Sequence, residues 1–286
     1  MRHALVFGAS GQIGRPLLDL LQAAGWRVTA LSRESRSDEP GLHWLQGEFA
    51  QLPALPRGVD AIFSCGPLDS FSHWYAKAAP DAARVVAFSS TSADVKADSA
   101  DVDERDVALR LRMAEARILD SARTRDAGAT LLRPTLVYGA GRDRTLARIA
   151  GLAQRWGRFV LPRRANGLRQ PVHVDDLADA AFRASATPAT AGNTYALPGG
   201  ETLPYREMVT RVLATLRPPP PLIELPAPLF ALALKTAQSR GIATGLGQAA
   251  VDRMRSDLVF DIEPARRDFG YAPRPFHPQR GMFESR

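Results

Sequence analysis

The sequence predicts an α/β protein built on a doubly wound parallel sheet, and three observations carry that expectation. Apolar strand-like runs alternate with helix-patterned segments through the first half. A glycine ladder, Gly8, Gly11 and Gly14, stands directly after the first of those runs. After Tyr138 the texture changes to an arginine-rich segment, which marks a second region.

The elements follow in order. "HALVFGA" (3–9) reads as a buried strand, "RPLLDLLQAAG" (15–25) as a helix stopped by Gly25, and "WRVTALSR" (26–33) as a second strand. Together they form one βαβ unit. "LHWLQGEF", "VDAIFSCG" and "ARVVAFSS" supply strands three to five, and a long helix is expected from about Glu104 to Arg125. "ATLLRPTLVYG" is the sixth strand. Alternation of this kind places helices on both faces of a parallel sheet. Beyond it come the arginine-rich stretch (142–169), a strand-like "QPVHV", a helix from Asp175, a stiff connector at "PPPP" (218–221) and an apolar helix at 229–238. Residues 1–140 are expected to form the first domain and 141–286 mainly the second, with 168–190 returning to the first.

Composition narrows the class. With 286 residues, 45% of them hydrophobic, the chain can bury one large core or two joined ones. The first apolar run meets glycine too soon for a secretory signal and no run reaches membrane-spanning length, so a cytoplasmic location without membrane insertion is expected. A lone cysteine, Cys65, rules out an internal disulfide and a cysteine-based zinc cluster, and no metal site is expected. The net charge of +7 invites a nucleic-acid reading. Yet the arginines are spread among many acids and no nucleic-acid-binding signature stands out, so no nucleic-acid partner is expected.

The glycine ladder has a chemistry of its own. A strand feeding a helix through a tight glycine turn exposes the helix's first N–H groups, whose partial positive charge accepts a pyrophosphate. Gly8 permits the turn, Gly11 a close approach of phosphate, and Gly14 the packing of helix on strand. Ser10, Gln12, Ile13 and Arg15 share that turn. The end of the second strand then discriminates between nucleotides, because an acid there binds the ribose 2′-hydroxyl of NAD and an arginine the 2′-phosphate of NADP. Here the strand ends "ALSRES": Ser32 stands where the acid would be and Arg33 follows, with Glu34 a competing candidate. NADP(H) is therefore favoured over NAD(H).

"FGASGQIG", "FSSTSA", "LLRPTLVYGAGRD", "QPVHVDDLADAA", "NTYALPGGETLPYREMV" and "FDIEPARRDFGYAPRPF" fall in an order that resembles the extended short-chain dehydrogenase/reductases, the NAD(P)-dependent epimerase/dehydratase group. The resemblance spans nearly the whole chain. It implies a Rossmann domain with a smaller C-terminal substrate-binding domain, a nicotinamide cofactor, and a homodimer. It also suggests a small polar or nucleotide-linked substrate, while Ser89, at the fifth strand's end where ligands bind in open α/β sheets, joins the expected cofactor set with Pro134.

One part of that family's pattern is missing. Tyr-x-x-x-Lys puts a phenol and an ammonium on one helical face, where the cation lowers the tyrosine's pKa for proton transfer. None of the five tyrosines has lysine four residues on: Ala79, Arg142, Gly199, Val209 and Pro275 stand there instead. "RLRMAEARIL" marks the expected helix, on which Val107 and Leu111 occupy the tyrosine and lysine places. The chain reads as an atypical member. Ser89 or Ser90 with Tyr138 become the candidates for catalysis, each with a structural alternative. Arg142, Arg144 and Arg169 are expected at a substrate, which their planar forks suit if it bears phosphate. The competing reading is a protein that binds NADP(H) without turnover, as a sensor or assembly factor.

Overall fold

The computed structural model describes residues 1–141, 145–239 and 248–283. In chain order its first elements are β1 (His3–Phe7), α1 (Gly14–Ala23), β2 (Arg27–Ser32), β3 (Leu42–Gln46), β4 (Ala61–Ser64), α2 (Leu68–Ala78) and β5 (Arg84–Phe88). There follow α3 (Ser92–Val95), α4 (Val102–Thr124), β6 (Gly128–Pro134), β7 (Val137–Tyr138), α5 (Leu146–Trp156), β8 (Phe159–Pro162), β9 (Leu168–Arg169) and β10 (Val172–His173). The chain ends with α6 (Val174–Ala186), β11 (Thr194–Leu197), β12 (Leu203–Pro204), α7 (Tyr205–Ala214), β13 (Leu222–Leu225), α8 (Ala227–Ser239), α9 (Gln248–Arg253) and α10 (Glu263–Phe269).

These elements divide into two units. The first comprises 1–135, 173–198 and 260–273, the second 136–172, 199–259 and 274–286. The expected boundary at 140 thus falls at 135. The expected return at 168–190 becomes 173–198, and a further return at 260–273 was not foreseen.

In the first unit seven strands form one parallel sheet in the order β11-β6-β5-β4-β1-β2-β3. This is the doubly wound Rossmann order, with its reversal beside β1. The inner strands are apolar on both faces because helices cover both: β1 is buried throughout, and Ala61–Ser64 likewise. One core cluster joins Leu5, Phe7, Ile62, Phe71, Tyr75 and Val85 to Ala114 and Ile118 of α4. Phe7 meets the Phe49 ring stacked at 5.2 Å and lies 4.4 Å from Trp74, which accounts for the aromatic content of the unforeseen α2. α4 begins at Asp101, whose carboxylate accepts from the N–H groups of Asp103 and Glu104.

β6 ends four residues before Tyr138, the last residue of its apolar run. Its last residue is Pro134, which has no N–H to extend the ladder, and Val137–Tyr138 pairs separately as β7. The outer strand β11 is held from outside the sheet: Tyr195 Oη donates to Asp268 at 2.7 Å, and Tyr271 Oη to the Pro198 carbonyl at 2.8 Å.

The second unit has its own core, in which Leu146, Ile149 and Ala153 of α5 meet Met208, Val209 and Val212 of α7, with Tyr138, Leu161 and Phe276. β8 and β13 pair in parallel, Phe159 opposite Leu222. The polyproline run lies between α7 and β13. By contrast α8 buries none of its residues, so the apolar helix at 229–238 is not core.

Candidate functional site

The turn between β1 and α1 is a knot of backbone. Gly8 adopts φ +68°, and a Cβ there would stand 2.6 Å from the backbone of Cys65 and Gly66 at the end of β4. Gly11 N–H donates to the Gly8 carbonyl at 2.9 Å. A Cβ on Gly14 would overlap that same carbonyl oxygen and the backbone of Ala9. Gly11 proves tighter than expected, since its own Cβ would come within 2.9 Å of Gly8 O, so this glycine serves the turn as well as any approaching ligand.

α1 starts from this turn without a side-chain cap. Ile13 holds the cap position with no acceptor to offer, and no acid lies in the first turn. Beside it the buried Gln12 Oε1 has no hydrogen-bond partner among the described residues. The uncapped helix N-terminus and the glycine cradle fit the pyrophosphate of a dinucleotide, and the Gln12 oxygen, an acceptor, suits a hydroxyl of such a ligand and not its phosphates. Ser10 lies in the same turn, and Arg15 at its far side faces Asp19 and Glu39 at 3.8 Å each.

At the end of β2, Ser32 is buried and its hydroxyl accepts from the Glu34 N–H at 3.1 Å and from Arg36 Nε at 3.3 Å. That commits Ser32 to shaping the turn. Glu34 points to solvent and pairs with Arg36 at 3.4 Å. Arg33 is exposed, has no carboxylate partner among the described residues, and lines a depression of about 500 Å³ with Gln46, Gly47 and Glu48. Arg36 is a second cation at this strand end, its guanidinium 5.3 Å over the Trp44 ring. Sequence reading missed Arg36, although "SRESR" carries both arginines.

The end of β5 holds a polar network. Ser89 Oγ donates to Glu115 at 2.5 Å, Arg133 Nε donates to the same carboxylate oxygen at 2.8 Å, and Arg133 Nη2 takes the other oxygen. Arg133 Nη1 reaches Asp94 at 2.8 Å. Glu115 is only 5% exposed, and its bonds hold the Arg133 guanidinium more firmly charged than usual. Ser89's proton is thereby committed. Ser90 differs: its Oγ accepts from the Ser92 N–H at 3.1 Å, which leaves its hydrogen free to donate. Thr91 N–H and Oγ1 both donate to the Pro134 carbonyl at 3.2 Å, so Pro134 joins two strand ends.

Two expectations fail on placement. Tyr138 is 1% exposed within the second unit's core, edge-on to Phe276 at 4.9 Å, with its hydroxyl 3.5 Å from the Pro275 carbonyl. Its surroundings are those of a packing residue. Arg169 is 6% exposed, and its guanidinium donates to the carbonyls of Leu168, Ser256 and Arg253, so a structural role replaces the expected substrate contact. Arg142 and Arg144 lie outside the described residues. On α4, Val107 and Leu111 are half-buried above fully buried Ala114 and Ile118, an apolar stripe. Cys65, beside the glycine turn, is kept as a thiol because burial pushes its pKa up to about 12. No group of metal-ligating side chains gathers, and no helix is long and apolar enough to cross a membrane, among the described residues.

Comparison with known proteins agrees with this geometry. A 2-alkyl-3-oxoalkanoate reductase of Stenotrophomonas maltophilia is 28% identical, with 94% of each chain covered. The terminal R domain from the myxalamid PKS-NRPS pathway superimposes with a TM-score of 0.74 at 18% identity, covering 98% of this chain and 87% of that one. A UDP-glucuronic acid 4-epimerase of Bacillus cereus gives 0.69 at 13%, covering 95% and 94%. The signature of the NAD dependent epimerase/dehydratase family matches residues 4–117, which span the glycine turn and the Ser89–Glu115 contact. That match begins in β1 of the seven-stranded Rossmann sheet and ends in α4, so residues 4–117 are similar to the NAD dependent epimerase/dehydratase family.

Proposed function

We propose that this protein is an NADP(H)-dependent oxidoreductase that reduces the ketone of a small oxo-acid-like substrate. The observation that carries the cofactor half is the β1–α1 turn: three close-packed glycines and an uncapped helix N-terminus at the switch point of the sheet. Arg33 and Arg36 at the end of β2 favour NADP(H): Arg33 has no carboxylate partner among the described residues, and Glu34, the acid nearest it in sequence, is turned to solvent and paired with Arg36. The bound nicotinamide would supply the hydride.

The substrate half draws on the reductase of S. maltophilia, whose likeness covers 94% of each chain. A nucleotide sugar, the other expected substrate class, keeps weaker support, from structures that share 13–19% identity. Ser90 is the group we assign to hydrogen-bond the ketone oxygen as negative charge develops on it. Glu115 and Arg133 act as positioning residues: they fix Ser89 and the β5 terminus that presents Ser90. A proton from solvent completes the alcohol.

The test is consumption of NADPH by purified protein with a panel of 2-alkyl-3-oxo acids and, separately, nucleotide sugars. Ketone-dependent oxidation that falls at least tenfold in Ser90→Ala supports the assignment. NADPH binding without turnover of any substrate would favour the second reading, a nucleotide-binding sensor or assembly factor, which the apolar Val107 and Leu111 support.

A further inference from the structure

The second unit carries a depression of about 750 Å³ that none of the proposed chemistry uses. Its floor is fixed. Arg211 forms a two-pronged pair with Glu201 at 2.8 and 2.9 Å and a further bond to Glu207 at 2.9 Å. The fully buried Phe276 ties the C-terminal segment to that pair, its N–H donating to Glu201 at 3.1 Å and its carbonyl accepting from Arg211 at 3.1 Å. Both acids are thus engaged by one arginine.

The rim is different. Arg217, His277 and Arg280 line it and are exposed, and neither Arg217 nor Arg280 has a carboxylate partner among the described residues. Prolines restrict the backbone beside two of them, since Pro218–Pro221 follow Arg217 and Pro278 follows His277. The unit around them is strongly basic, with 18 lysines and arginines against 7 acids, a formal +11, whereas the first unit has 19 against 23. Excess charge of this size raises the local concentration of anions.

We propose that this depression is a binding site for a small anion bearing two linked phosphate groups, separate from the glycine turn. Each free guanidinium presents a planar fork that suits one phosphate, and the imidazole adds a donor. The volume lies in the range of small-ligand pockets and leaves room for an organic group beyond the phosphates. This inference does not depend on the proposed reaction.

The experiment is calorimetric titration of the full chain with inorganic pyrophosphate at physiological salt, in the presence and absence of saturating NADPH. Saturable binding should persist with NADPH and weaken at least ~10-fold in Arg217→Ala/Arg280→Ala. It should be unchanged in Arg110→Ala/Arg123→Ala, exposed arginines of the first unit. Because Arg217 and Arg280 are exposed, the double variant should melt as the parent does; Arg217→Gln/Arg280→Gln serves as a second version. The proposal is overturned by the absence of saturable heat, by displacement of pyrophosphate with NADPH, by undiminished affinity in both rim variants, or by an equal loss in the first-unit control.

Discussion

At the residue scale, the site turns on which polar atoms are already committed. Arg33 and Arg169 look alike in sequence, yet burial and three carbonyl acceptors engage Arg169 while Arg33 is left without a carboxylate. Only tertiary placement separates them. Arg33→Ala should therefore weaken NADPH binding about 10- to 100-fold and leave NADH nearly unchanged, as read by fluorescence titration. Gly14→Ala should be worse for both nucleotides, since its methyl overlaps the Gly8 carbonyl and forces α1 away from the turn. Glu115→Gln tests the network behind Ser89. It weakens the partner of a half-buried Arg133, so unfolding stability should fall by about 2–4 kcal/mol in a denaturant titration, with activity falling further than Ser89→Ala alone.

At the element scale, local pattern found β1 to β6, α1, α4, α6 and α8, each within a few residues, because apolar runs and periodicity are local properties. What it missed has a physical cause. α2 interleaves Phe71, Trp74 and Tyr75 with small polar residues, and only the facing Phe7 and Phe49 reveal why those rings sit on a helix. β11 is four residues long and is identified by its pairing with β6 rather than by its sequence. Its attachment offers a pH test. Burial first, and the bond to Asp268 second, push the Tyr195 phenol up to about 12, above the usual 10. A group whose folded pKa is raised contributes stability that is intact below pH 10 and is lost as pH rises toward 12, because the unfolded chain ionises first. Thermal melts should show the midpoint falling across that window, and Tyr195→Phe should flatten the fall.

At the scale of the whole molecule, the unit that holds the glycine turn is not a continuous piece of chain. The sequence showed where it starts and that one later segment returns, but the last return, at 260–273, depends on contacts with α6 and β11 that no local pattern encodes. Those returns supply partners that 1–140 lacks. Arg84, at the start of β5, donates to the carbonyls of Ala184 at 2.8 Å and Thr187 at 3.1 Å and to Thr190 Oγ1 at 2.6 Å. β6 takes β11 as its outer neighbour, and α6 covers α1 and β5. Without 173–198, Arg84 would be left without those acceptors, β6 would become an exposed edge, and the apolar face of α1 would meet water. A fragment of residues 1–140 should therefore fail to unfold cooperatively and fail to bind NADPH, even though it contains every residue of the turn. The full chain should bind NADPH and gain about 2.7 kcal/mol of stability at a hundredfold excess over Kd. Cooperative, nucleotide-dependent melting of the fragment would show instead that the first six strands suffice and that the returning segments only cover them.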